Sequence, residues 1–484
     1  MGLIGPRSSA WRLPWAWAVV AGAAALGLAA SVDAMDGPYL EPGRGGTTYG
    51  AWPAELTLFL PYGLALVAAA RGHAPSIRTL LPVAIGLHAL LAVVPPPGSQ
   101  DVYQYLFYGK MAASLGANPY LVEPLRFATD PWFDHITWVD QTSVYGPLWT
   151  LLGAGTVRLA GRDLLPAFLA MKGVVLALDV ATMAALVAMG RQPRDSKAGA
   201  LPRSPSLGLL AWALNPMVLL TVPVEAHADV AVAVAFVAAV LARRRGRMGW
   251  ATALLALGAL VRPYAAVALL LHLASVMRTK GRRAAAGHLG ASALIAAAMV
   301  APFWDGLDTF AGAGDVARRF GLSLAGTLYR LVTDHPPGPV EHLDAVGVSI
   351  IAVGAVVVVW VAAVMIRRVW RAPEDGTTFE EAVSLSFGVA LLVSPWFFPW
   401  HLLPIVALAC VVPATATGAA VLVASASTSV ELRFSPRILG LLLQAAVRYG
   451  PPLATWLRLR RHAPVRDPGP DDRPLSGSRP GSQH

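Results

Sequence analysis

Charge is scarce in this chain. Only 14% of its 484 residues are Asp, Glu, Lys or Arg, where a soluble domain carries roughly 25%. Lysine appears at positions 110, 172, 197 and 280 alone, against many arginines, and with the excess of Ala and Gly this hints at a GC-rich bacterial gene. One cysteine, Cys410, stands inside an apolar run, so no intramolecular disulfide forms. No P-loop, GxGxxG, HExxH or GxSxG pattern occurs, which argues against nucleotide-driven and protease chemistry. No internal repeat is visible either, which weakens a transporter reading.

What is present is apolar length. The chain is 56% hydrophobic with a mean hydropathy of +0.56. Runs at 15–31, 56–70, 80–94, 164–189, 230–242, 285–301 and 346–366 predict membrane helices; a span needs ~20 apolar residues, and only helices or closed barrels satisfy the backbone in lipid. The runs do not alternate apolar with polar residues, as barrel strands would. The expected fold is an all-α, polytopic membrane protein of about twelve crossings. The run 15–31 reads as an uncleaved first helix rather than a signal peptide, because no clear cleavage site follows it. Residues 1–461 form one membrane domain, and 462–484, rich in Pro, Gly, Arg, Asp and Ser, form a disordered tail.

The net charge of +10 is an orientation signal before it is a nucleic-acid patch, because the bases sit in short loops between spans. Arg7 and Arg12, Arg71 and Arg78, 191–203, 243–247, 278–283 and Arg367, Arg368 and Arg371 mark the cytoplasmic side. The loop 95–147 then falls outside, with five acids (Asp101, Glu123, Asp130, Asp134, Asp140) against Lys110 and Arg126 in its stretch 101–147. Its aromatic-rich sequence suits short interfacial helices. The segment 303–344 is also outside and acid-biased. The run 148–159 fits this map as a short half-inserted helix rather than a crossing, which Arg158 and Arg162 allow.

Five features face the same outer side. They are Asp101 with Tyr103 and Tyr105, the turn residues Asn118-Pro119-Tyr120 and Tyr145-Gly146-Pro147, Asn215-Pro216 followed by Glu225-Ala226-His227-Ala228-Asp229, Arg262-Pro263-Tyr264, and the run Ser394 to His401 containing Trp396. Ionisable residues at membrane depth are costly and usually functional. Each has a plainer reading. Asp101 is also placed as a solvated loop acid, Asp229 as the N-cap of the next helix, Arg262 as a helix-end snorkeller, and the aromatic-proline run as an interface belt. Glu225, His227 and Asp229 alternate, so a strand-like turn puts them on one side and a helix scatters them. Arg262 on the outer side runs against the charge rule, and its forked donors suit phosphate oxygens.

The ordered motifs DVYQYLFYGKMAASLGANPY, SVYGPLW, ALNPMVLLTVPVEAHADV, VRPYA and SPWFFPWH together resemble the GT-C membrane glycosyltransferases that use polyprenyl-phosphate sugars. The likeness is greatest to bacterial polyprenol-phosphate-mannose-dependent alpha-mannosyltransferases and covers roughly residues 101–404. It implies that Asp101 is the general base. Here His227-Ala228-Asp229 replaces the family's His-Asn-Asp-like motif, and Arg262 replaces its usual lysine. The resemblance implies a catalytic set of Asp101, His227 and Asp229. Around it stand Tyr103, Tyr105, Asn118, Tyr120, Tyr145, Glu225, Arg262, Trp396 and His401 as substrate-binding candidates. It also implies a polyprenyl-phosphate sugar donor, a glycan or glycolipid acceptor, surrounding membrane lipids, no nucleic acid, and a place in the bacterial cell membrane with the site on the extracytoplasmic side. Energy is stored in the donor, so no cofactor is required; a divalent metal at Asp101, His227 or Asp229 has no signature supporting it. The competing readings are a secondary transporter or lipid-linked sugar flippase, and a non-catalytic scaffold.

Overall fold

The computed structural model describes residues 52–461, except 97–98, 192–204, 313, 315–317, 322, 334–337, 341, 372–376 and 430–437. The apolar run 15–31, the bases before it, most of the basic loop 191–203 and the tail 462–484 lie outside the described residues.

The described chain is helical, apart from an antiparallel pair of two-residue strands, Arg319–Phe320 and Gly338–Pro339. The helices start where the sequence supplies starts. Pro147, Pro205, Pro216 and Pro263 open helices or turns, where a missing N–H costs nothing. Ser76, Asn215 and Thr415 cap with side-chain oxygens that accept from Thr79 N, Met217 N and Gly418 N.

Three helical stretches are long and apolar enough to cross a membrane, Leu164–Gly190, Pro263–Phe303 and Ala345–Arg371. The pair Pro205–Ala213 and Pro216–Val224, bent by 55° at Asn215, makes a fourth if it is one span. The shorter apolar helices Ile77–Ala92, Met248–Ala259, Pro399–Val411 and Ala416–Thr428 fall below the ~20 residues of a full crossing. By length and composition the described residues thus provide fewer crossings than the twelve expected.

The stretch Pro263–Phe303 is not one rod, so its length does not make it a single straight crossing. Gly281 has φ +85°, a conformation open to glycine at little cost. The rings of His272 and His288 lie 6.0 Å apart, and Thr252 Oγ1 contacts both, at 2.9 and 2.6 Å. On a straight helix sixteen residues span about 24 Å. The chain therefore doubles back at Gly281, and the two arms run antiparallel. The hairpin returns Phe303 to the face that carries Arg262, and the basic stretch 278–283 marks the opposite face.

Charged side chains sort accordingly. On the basic face Arg244 pairs with Glu380 at 2.5 Å and Arg368 with Glu381 at 2.7 Å. A surface cavity of about 640 Å³ lined by Arg247, Trp250, Lys280 and His288 opens there. No carboxylate lines it.

The loop expected to carry short helices on the surface has them, but the first is not superficial. The helix Asp101–Ala113 buries Val102 through Gly109 and Met111. The 14-residue helix Pro147–Ala160 runs beside it in the same direction. Tyr105 meets Trp149 at 5.4 Å, and one turn on Gly109 lies directly against the backbone of Gly153. Small residues are what allow two helix backbones to touch. At ~21 Å the second helix is too short to cross, as the half-helix reading requires. The rest of the loop follows in single 3₁₀ turns, Pro124–Phe127 and Phe133–His135.

A second segment closes over the first. Gly321 N and Ser323 Oγ both donate to the Pro395 carbonyl, at 3.0 and 2.8 Å. The Arg319 guanidinium lies 4.8 Å from the Trp138 ring, which meets Trp396 edge-on at 6.4 Å. Trp396 is therefore part of a roof joining both loops.

Candidate active site

The site forms where helix ends on one face converge. The bent helix ends in a π-turn, Leu220–Val224, with Pro223 inside it. Ala226 then takes φ +59°, the sole positive φ of a non-glycine residue among the described residues. Such a conformation costs an L-residue roughly 1–2 kcal/mol. It reverses the chain between Glu225 and His227, and the two side chains converge.

His227 is fully buried, and each ring nitrogen faces a carboxylate. Its Nε2 lies 3.0 Å from Glu225 Oε2. Its Nδ1 lies 3.5 Å from Asp101 Oδ2, an ion-pair distance without hydrogen-bond geometry. Burial alone would lower the His227 pKa; Asp101 and Glu225 outweigh it and push the imidazole up to about 9. It is therefore an imidazolium at neutral pH. Burial would likewise raise the Asp101 carboxyl, but the facing His227 and the Arg262 charge hold it below the ordinary carboxylate range.

The neighbours fix these groups. Ser99 N donates to Glu225 Oε1 at 3.3 Å, and Ser99 Oγ accepts from Asp101 N at 3.3 Å. Tyr105 OH donates to Asp101 Oδ2 at 3.4 Å and accepts from Ala228 N at 3.3 Å. The His227 ring stacks on Trp400, 3.9 Å between centroids and 12° from parallel, and Trp400 stacks on Phe398 at 4.4 Å.

A second charged pair lies beside the first. Arg262 Nη2 donates to Asp229 Oδ2 at 2.8 Å, and Tyr264 OH donates to Asp229 Oδ1. Asp229 opens the helix Asp229–Arg244, but its side chain caps no backbone N–H. The N-cap reading of Asp229 thus fails, because both its oxygens are turned to Arg262 and Tyr264. The Arg262 guanidinium lies 4.6 Å from the Tyr145 ring, and its buried Nε has no hydrogen-bond partner among the described residues. Gly146 sets that stacking. Its N–H and that of Leu148 donate to the carbonyls of Val261 and Leu260, at 2.9 and 3.1 Å. A Cβ on Gly146 would run into the Leu260 carbonyl.

The structure thus gathers Asp101, Tyr105, Tyr145, Glu225, His227, Asp229 and Arg262. His401 lies at the rim, 5.9 Å from the Tyr264 ring, where its Nδ1 accepts from Phe398 N. Four candidates are supports rather than members. Tyr103 stacks on Phe168 at 5.4 Å. Asn118 accepts from Tyr120 N and donates to the Phe303 carbonyl at 2.8 Å. Tyr120 OH donates to the Tyr145 carbonyl at 2.8 Å. Trp396 belongs to the roof. Sequence reasoning did not single out Ser99, Tyr264 or Trp400. Tyr264 and Trp400 stood inside motifs already marked, whereas Ser99 carries no signal of its own. Among the described residues no group of three or more His, Cys, Asp or Glu side chains is arranged to hold a metal.

No solved structure matches the chain. A probable alpha-(1->6)-mannopyranosyltransferase of Mycolicibacterium smegmatis (strain ATCC 700084 / mc(2)155) is 36% identical to it over 93 residues, 18% of this chain and 16% of that protein. The match thus spans a small part of the relative's length. A wider likeness covers residues 16–278, which match the N-terminal domain of the alpha-(1->6)-mannopyranosyltransferase family. With more than half of its length matched in this way, and with its charged groups gathered at the helix ends of one face, the chain belongs to that family.

Proposed function

We propose that the protein is a membrane mannosyltransferase that moves mannose from a polyprenyl-phosphate donor to a cell-envelope glycan or glycolipid, with Asp101 as the general base. The observation that carries this reading is the row Asp101–His227–Glu225 set beside Arg262–Asp229. It offers one partly accessible carboxylate, Asp101, near two cations, His227 and Arg262, each of which is also paired with another carboxylate.

The chemistry follows from the groups. An acceptor hydroxyl attacks the anomeric carbon of the donor sugar while Asp101 takes its proton. The bond from the anomeric carbon to the phosphate oxygen breaks, and the electron pair leaves with the lipid phosphate. That phosphate needs charge compensation rather than a proton, so a second acid is unnecessary. Arg262 supplies it, with Nε as the unpartnered donor and Nη2 shared with Asp229. His227 stays protonated between its carboxylates and keeps Asp101 ionised. We place the site on the extracytoplasmic side of a bacterial cell membrane, in a single membrane domain 1–461 of about twelve crossings with the tail 462–484 outside it. The basic residues on the opposite face support that orientation.

The test is transfer in membranes containing the protein, from labelled polyprenyl-phosphate mannose to endogenous acceptor, with polyprenyl-phosphate glucose and arabinose in parallel. Wild type should consume the mannosyl donor, and Asp101→Asn should lose ~10²–10⁴-fold in rate while still binding donor. Movement of intact donor across vesicles without consumption would replace the enzyme by a flippase.

A further inference from the structure

Lys172 lies two turns inside the apolar helix Leu164–Gly190 and is 2% exposed. An ammonium at that depth is costly unless its three donors all find acceptors. They do. Nζ donates to the carbonyls of Val94 at 3.1 Å, Pro223 at 2.8 Å and Val224. The Phe168 ring, one turn earlier, lies 5.4 Å from it.

The acceptors say what the cation does. The amides of Glu225, Ala226 and His227 donate to Leu220, Val222 and Thr221. The carbonyls of Pro223 and Val224, at the negative end of the bent helix, are thereby left to Lys172; helix C-termini favour a cation. Val224 is followed directly by Glu225. Val94 follows the helix Ile77–Ala92 and leads to Ser99 and Asp101. One side chain thus ties the two segments that deliver the carboxylates on either side of His227.

We infer that Lys172 is a positioning residue, whose ammonium clamps Val94 and the turn 223–227 so that Asp101 and Glu225 meet His227. It touches none of the three. The role rests on the sugar-transfer reading only for its effect on rate; the clamp itself is a statement about two segments of chain.

The experiment uses full-length protein in nanodiscs, with Lys172→Met, which removes donors and charge at similar length, and Lys172→Arg, which keeps both. The first readout is amide hydrogen exchange, independent of activity. Peptides covering 94–105 and 222–230 should exchange faster in Lys172→Met, with the helix Ala416–Thr428 unchanged, and Lys172→Arg should approach wild type. The second is transfer. In Lys172→Met kcat should fall about 10²-fold, the scale of a small misplacement of reacting groups. Donor KM should stay close to wild type. Unchanged exchange in both segments overturns the clamp, as does a kcat loss matched by lost folded protein alone. If Lys172→Met does not fold, Lys172→Gln, with two donors and no charge, is measured, and wild-type exchange and kcat in it overturn the proposal. If wild type transfers no sugar, the functional reading fails and exchange alone decides the clamp.

Discussion

The imidazole of His227 lies flat on the indole of Trp400, 3.9 Å between ring centroids. With His227 cationic, this is a cation over the negative face of the strongest aromatic acceptor. Trp400→Leu keeps apolar bulk and removes the face. We expect it to lower the His227 pKa and to reduce transfer at pH 7 by about tenfold, since such a desolvated contact is worth ~1–2 kcal/mol. NMR titration of labelled histidine checks the first point; an unmoved His227 resonance would remove Trp400 from the electrostatics.

The charge on His227 also makes stability depend on pH. Its pKa is about 9 in the folded protein against about 6.5 unfolded. A raised folded pKa contributes stability that is fully present below the unfolded value and is lost as pH rises through the folded one. The thermal midpoint should therefore fall between about pH 6.5 and 9. His227→Gln should flatten that slope. It should also move the acid limb of kcat/KM upward in pH, because Asp101 loses the neighbour that keeps its carboxyl low. Tm measured across pH for both proteins, with pH–rate profiles, gives the answer.

Gly146 is packed against the Leu260 carbonyl with no room for a methyl group. Backbone cannot rotate away as a side chain does, so Gly146→Ala should cost about 1–3 kcal/mol. It should also part the Tyr145 ring from Arg262. A Tm equal to wild type would show that the two segments are not held together as described.

Arg262 and Asp229 form a buried pair, so either single substitution leaves a charge unpaired, at a cost of about 3–5 kcal/mol. Arg262→Ala with Asp229→Asn should recover part of that stability but none of the donor affinity. Arg262→Lys should restore affinity in part, because the charge returns without the fork. Donor titration on monodisperse protein separates the two effects. Unchanged affinity in Arg262→Ala would take the arginine out of the phosphate site.

Ala226 holds φ +59° in a fully buried position. Ala226→Gly should keep or raise Tm by relieving strain of roughly 1 kcal/mol, whereas Ala226→Val, β-branched at positive φ, should abolish folded protein. Equal Tm for the two variants would contradict this backbone.

Much of this was written in the chain. Apolar length dictates helices, because in hydrocarbon each backbone N–H must bond within its own segment. Polar residues interrupting such runs are costly, so Asp101, Glu225, His227, Asp229 and Arg262 stand out, although each also has a plainer reading. The basic clusters put all five on one face before any contact was known. Only the tertiary structure decided the partners. Nothing local couples His227 to Asp101 across more than a hundred residues, chooses Trp400 over Trp396 as its stacking partner, or turns Asp229 from a helix cap into the mate of Arg262. Gly281 could interrupt a long helix or reverse it, and the contact of His272 with His288 settled which. Lys172 was the least legible of all, because its acceptors are main-chain carbonyls. Every residue carries a carbonyl, so sequence cannot mark the three that packing brings to one ammonium.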